Sequence, residues 1–250
     1  MKGLERFQRA MIEAGKADIL PLCEKNQGEF AKTLWNVLFD IDGPRVVSRK
    51  PTERELFMGK MFRGFWEIDK SLETLEDIAF YVGRFPFQKT RVSPERYLQF
   101  HVEAWFAEVY ILRERLDSYL RVLERQYKSD PGLPAIRARV KRLTDWLVKT
   151  LEGVSKTRGQ HVHSVRFNND GISRLGTINL LIHGSEDDLT HVMRLYHRIE
   201  RRKVKKVWKS RLVANNEQIR KLLDIFFENL FPVVFDEGTN ALKYPKRLSV

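Results

Sequence analysis

Apolar residues recur along most of the chain at steps of three and four, the period of a helix with one buried face. Leu4, Phe7, Met11, Ile12, Ile19 and Leu20 sit among charged residues and predict a helix up to Pro21, with Gly15 as a weak point. An apolar run from Phe30 to Phe39 ends at the turn signal Asp40-Ile41-Asp42-Gly43-Pro44, and Arg45 to Thr52 reads as an extended or loop segment. From Glu53 to Val82 the spacing of Leu56, Met58, Met61, Phe62, Phe65, Trp66, Ile68, Leu72, Leu75, Ile78 and Phe80 is mostly helical, interrupted near Gly64 and ended by Gly83 and Pro86.

Ser93-Pro94 is a start signal and Asp130-Pro131-Gly132 a stop, so the residues between them form one long helix. Its expected buried stripe is Tyr97, Leu98, His101, Trp105, Phe106, Val109, Leu112, Leu116, Leu120, Leu123 and Tyr127. A second helix begins near Pro134 and carries Ile136, Val140, Leu143, Leu147, Leu151 and Val154; the short turn between the two makes an antiparallel pair. After the turn Asn168-Asn169-Asp170-Gly171, Ile172, Leu175, Ile178, Leu181 and Ile182 predict a short helix closed by Gly184. Ser185 caps a further helix with Leu189, Val192, Met193, Tyr196, Ile199 and Val207, and Asn215-Asn216 breaks or kinks it. Ile219, Leu222, Leu223, Phe226, Phe227, Leu230 and Phe231 define a last helix before Pro232, and residues 236–250 read as a loose tail. No alternating strand pattern of useful length occurs. The expected fold is an all-α helical bundle with long antiparallel helices over residues 91–235, an N-terminal helical extension over residues 1–90, and a C-terminal tail.

Composition adds three bounds. With 250 residues and 42% hydrophobic content the chain can bury a substantial core. Lys and Arg number 45 against 33 Asp and Glu, a net charge of +12 that favours polyanionic partners. Cys23, the single cysteine, excludes an internal disulfide framework and a cysteine-based zinc module and fits a reducing compartment, so a cytoplasmic location is expected. No apolar run is long enough for a membrane span, which takes about 18 residues, and Met1-Lys2-Gly3-Leu4-Glu5-Arg6 is too charged for a signal sequence.

One stretch gathers chemically capable side chains where the helical pattern lapses: Lys156-Thr157-Arg158-Gly159-Gln160-His161-Val162-His163-Ser164-Val165-Arg166-Phe167. Four residues stand between Arg158 and His163, five positions apart, and Gly159 lets the backbone bend between them. Arg96 and His101 have the same spacing, but they fall within the long helix, where five residues separate side chains by about 140°. His161 and His163 lack a nearby carboxylate or cysteine cluster, so no metal is expected, and no cofactor motif occurs. The plainest alternative for Arg158 and His163 is a surface turn with a hydrogen-bonding histidine.

Arg158-Gly-Gln-His-Val-His163 in a basic, all-helical chain resembles the HEPN superfamily (higher eukaryotes and prokaryotes nucleotide-binding), whose motif is an arginine followed after four to six residues by a histidine. The resemblance covers about residues 91–235. It implies a metal-independent endoribonuclease of the kind found in toxin or phage-defence systems, in which His163 acts as base or acid in attack of the RNA 2′-OH. Arg158 would offer a planar fork to the phosphoryl oxygens, and two motifs would meet across a homodimer. RNA, an antitoxin or a nucleotidyltransferase are the partners it suggests. Where many members carry Asn, Asp or His after the arginine, this chain has Gly159, so Gln160 or His161 would have to supply that contact. A non-catalytic nucleotide- or nucleic-acid-binding module is the competing class.

The run from Arg198 to Arg211 holds eight Lys or Arg. Arg201, Arg202, Lys203, Lys205, Lys206 and Lys209 are the expected phosphate contacts, with Trp208 placed either to stack on a base or to turn into the core together with Val204 and Val207.

Overall fold

The computed structural model describes residues 2–25, 52–84, 92–153, 169–184 and 188–245. Among them six α-helices follow in order: α1 (Gly3–Lys25), α2 (Glu53–Gly83), α3 (Pro94–Gln126), α4 (Leu133–Thr150), α5 (Asp170–Gly184) and α6 (Asp188–Val234). The described residues contain no strand, only an isolated antiparallel bridge between Phe235 and Leu242, and the all-α expectation holds. No helix among them is long and apolar enough to cross a membrane. The apolar run at 30–39, its turn, and Ser185 lie outside the described residues.

Local chemistry fixes several helix ends. Thr52 and Glu55 cap α2 reciprocally: the Thr52 Oγ1 accepts from Glu55 N at 3.2 Å, and Thr52 N donates to Glu55 Oε2 at 2.8 Å. Pro94 opens α3, with Tyr97 N donating to Ser93 O at 3.0 Å. The Ser93 hydroxyl itself is buried without a hydrogen-bond partner, so the backbone carbonyl, not the side chain, starts this helix. Asp130 folds the turn into α4 by accepting from Gly132 N at 2.8 Å.

Four expected breaks do not occur. The first is Pro21, which α1 passes on its way to Lys25. Pro232 likewise lies inside α6, which ends at Val234. A proline removes one hydrogen bond to residue i−4 and its ring crowds that carbonyl, a cost that each helix carries close to its C-terminal end. At Gly64 α2 is continuous because the missing side chain leaves room for the Tyr119 ring, into which a Cβ would collide. Asn216 sits mid-helix in the 47-residue α6, where asparagine usually competes for local backbone groups. Its amide is occupied elsewhere: Oδ1 accepts from Trp105 Nε1 at 2.8 Å, and Nδ2 donates to Leu75 O at 2.8 Å. A buried asparagine with both ends satisfied is a packing element, not a kink.

The chain forms two compact units, each drawn from separated segments: the first from Met1–Trp66, Ser118–Thr144 and Leu222–Val250, the second from Glu67–Asp117 and Asp145–Lys221. In the first unit the Phe7 ring lies 4.6 Å from that of Phe227, 5.1 Å from Phe235 and 5.6 Å from Phe65, all buried. Such contacts add to plain area burial. α1 approaches α6 closely because Gly3 has no side chain to strike the Asp224 carbonyl, and Leu4 N donates to Asp224 Oδ1 at 3.2 Å. Residues 236–245, expected as part of a loose tail, pack instead. The Tyr127 hydroxyl donates to Lys243 O, the Tyr244 ring lies 5.5 Å from Phe57, and Leu242 is buried. Their turn is held by Asp236, whose carboxylate accepts from Gly238 N and Thr239 N at 3.0 Å, with Asn240 at a φ of 55°.

The second unit is more polar inside. Beside Trp105 and Asn216, Arg115 reaches Ser71 Oγ at 2.5 Å and Glu67 at 3.0 Å, and Arg174 pairs with the buried Glu200 at 3.2 Å. The expected stripe of α3 is mostly correct, but Tyr97, His101 and Phe106 are only partly buried while Val102 and Tyr119 are fully inside.

Candidate nucleic-acid interface

Arg158, Gln160, His161 and His163 all lie outside the described residues. The second arginine–histidine pair lies within them and behaves as helix geometry requires. Arg96 is exposed, and His101 is partly buried with Nδ1 2.9 Å from Tyr97 O, so the two do not form a site.

The basic stretch of α6 belongs to the second unit. Its buried stripe is Glu200, Val204, Trp208, Leu212 and Asn216, a step of four throughout. Trp208 therefore packs inward and offers no surface to a base. Val207, also expected to turn to the core in that case, is 46% exposed.

Helix rotation sorts the six expected phosphate contacts into two groups. Arg202, Lys203, Lys206 and Lys209 are exposed, whereas Arg201 and Lys205 flank the buried stripe and are partly covered. Lys205 Nζ lies 3.5 Å from Gly83 O at the end of α2, whose last turn holds no basic residue. A cation there offsets the negative end of the helix dipole, so Lys205 has a structural role of its own. Lys203 stands 4.0 Å from Glu200, already held by Arg174.

Burial, and then the repulsion of neighbouring cations, lowers the affinity of Arg201 and Lys205 for their protons: Arg202 and Arg198 act on Arg201, and Arg201, Lys209 and Arg202 on Lys205. A phosphate placed beside this array relieves that repulsion.

Two features were not singled out in the sequence. His197 is partly buried one turn before Arg201, with Nε2 lacking any hydrogen-bond partner. Burial depresses its basicity, Glu95 opposes that shift, and Arg201 adds to it. The signal was its register: four before Arg201 and seven before Val204, it had to face inward. In the first unit, Arg121, Arg125, Lys128 and Arg137 line a hollow of about 550 Å³, with Glu124 held by Arg137 at 2.6 Å. Only proximity across the α3–α4 turn reveals this second cationic surface; its residues are spread over two helices.

Among the described residues no three His, Cys, Asp or Glu side chains gather so as to hold a metal ion. Neither a family model, nor a curated protein, nor a solved structure matches the chain.

Proposed function

We propose that the protein binds RNA through the outward face of α6 and cleaves it without metal at Arg158 and His163. The observation that carries the binding half is the exposed set Arg202, Lys203, Lys206 and Lys209 within about two turns of one helix. The cleavage half rests on the sequence resemblance to the HEPN superfamily, with His163 moving the 2′-OH proton and Arg158 stabilising charge on the phosphoryl oxygens. The homodimer that the resemblance implies has a surface to use. Val192, Leu195, Tyr196 and Ile199 recur at helical steps on α6 and are 42–62% exposed.

Two measurements test this. RNA affinity is followed against salt for the wild type and for Arg202→Gln/Lys206→Gln; each phosphate contact removed lowers the slope by about 1. RNA cleavage is followed in excess EDTA for the wild type, Arg158→Ala and His163→Ala, all shown to be folded. Loss of cleavage in both single variants supports the ribonuclease. Salt-dependent binding by a folded, dimeric wild type that cleaves none of a wide RNA pool leaves a binding module, the reading that Gly159 favours.

A further inference from the structure

Within the second unit, the C-terminal part of α2 and the middle of α6 enclose a groove of about 340 Å³. That is within the size range of small-ligand sites. Ala79, Phe80 and Val213 form its apolar walls, and Phe80 and Val213 remain 49% and 42% exposed. Asn216 also lines it, but both ends of its amide are committed to Trp105 and Leu75. The groove therefore offers shape and an aromatic ring, with no free amide to read a hydrogen-bonding edge.

Charge is arranged unevenly along it. Lys209 stands at one end, its alkyl stem packed over Gly83, where any side chain would crowd it. Lys206 is exposed on the preceding turn of the same helix. At the other end Arg220 Nε is bonded to Glu76 Oε1 at 2.7 Å, and Glu217 adds a second carboxylate. The Arg84 guanidinium lies over the Phe80 ring, 4.5 Å from its centroid, so it adds a cation at the aromatic wall and covers one face of the ring, which leaves the other face for a ligand. An apolar peptide side chain would have no use for these cations, whereas a nucleotide needs both a stacking face and a cation for its phosphate.

We propose that this groove takes one unpaired nucleobase of single-stranded RNA against Phe80, with the adjoining phosphates on Lys206 and Lys209. The inference rests on the RNA-binding reading above and gives that surface the stacking partner that Trp208 cannot supply. Because the apolar walls Ala79, Phe80 and Val213 present no side-chain donor or acceptor, a base seated on them is held by its π-face, and the preference follows stacking strength instead of sequence.

The test compares a short single-stranded RNA with a duplex of the same length, across salt, for the wild type, Phe80→Ala and Lys206→Gln. Phe80→Ala is expected to weaken single-strand binding roughly 5- to 100-fold with an unchanged salt slope and to leave duplex binding unaffected. Lys206→Gln is expected to lower the slope for both ligands by about 1. Wild-type affinity in Phe80→Ala together with a weakened Lys206→Gln overturns the groove and keeps the RNA surface; absence of salt-dependent RNA binding by the wild type overturns both. Photo-crosslinking of wild-type protein to 4-thiouridine RNA provides a measurement free of folding effects. Adducts on the peptide containing Phe80 support the proposal, and adducts confined to other surfaces, such as that of Arg121 and Arg125, overturn it.

Discussion

Over its last thirteen residues α6 buries Leu222, Leu223, Phe226, Phe227, Leu230, Phe231, Val233 and Val234, whereas the fourteen from Arg198 to Arg211 bury only Glu200, Val204 and Trp208. One stretch belongs to the first unit and is held by aromatic packing; the other belongs to the second and carries repulsive pairs four residues apart at Arg198/Arg202, Arg201/Lys205, Arg202/Lys206 and Lys205/Lys209. Each such pair disfavours an isolated helix by about 0.2–0.5 kcal/mol. Packed core and cationic face are thus separated along a single element. The apolar end tolerates no change of volume, and the basic end gives up helix stability to hold cations together.

The sharpest way to break that contrast is truncation at its two ends. Phe227→Ala removes a fully buried ring that touches Phe7, Phe65 and Phe226, and is expected to cost about 3–5 kcal/mol in denaturant unfolding. Val207→Ala, at a largely exposed position, should stay within about 0.5 kcal/mol. Similar losses from the two would mean that the basic stretch is scaffold as well.

A finer test uses Asn216, a buried polar side chain that ties α6 to α2 and α3 in the second unit. Asn216→Leu keeps an apolar volume but leaves the Trp105 N–H buried without its acceptor and takes a donor from Leu75 O. The expected loss is about 2 kcal/mol, read by equilibrium unfolding. Asn216→Leu with wild-type stability would make the amide dispensable and return Asn216 to the status of a tolerated helix interruption.

The residues that misled sequence reading have a common cause. The helical spacing that includes Leu98, Val109 and Leu116 on α3 and Leu223 on α6 announced buried faces correctly because helix period alone determines them. Gly64, Asn216 and Pro232 are breakers by local propensity, and tertiary partners overrode each: the Tyr119 ring, the Trp105 and Leu75 groups, and a packed C-terminal segment. For the site, the count of cations in α6 was legible, but which of them face solvent depended on the register of the buried stripe. Arg201 and Lys205 turn inward for that reason, and the groove at Phe80 joins helices far apart in sequence.

The smallest expected effect concerns the N-terminal edge of the basic stretch of α6. His197 is held partly buried and neutral, so its folded-state pKa lies below the ordinary histidine value, chiefly through burial and with Arg201 contributing. The unfolded chain then binds more protons than the folded one as pH falls through about 6.5, and stability falls with it until the folded-state pKa is passed. Asp69 shifts the other way: burial, with Glu73 adding, raises its carboxyl, so the folded chain binds the extra proton and gains stability, in the lower range where carboxylates titrate. His197→Gln should therefore flatten the loss of Tm between about pH 6.5 and 5.5 and leave the carboxylate range unchanged. An unaltered slope in that variant would place His197 with the solvated cations, and the buried stripe beneath the basic stretch would then begin only at Glu200.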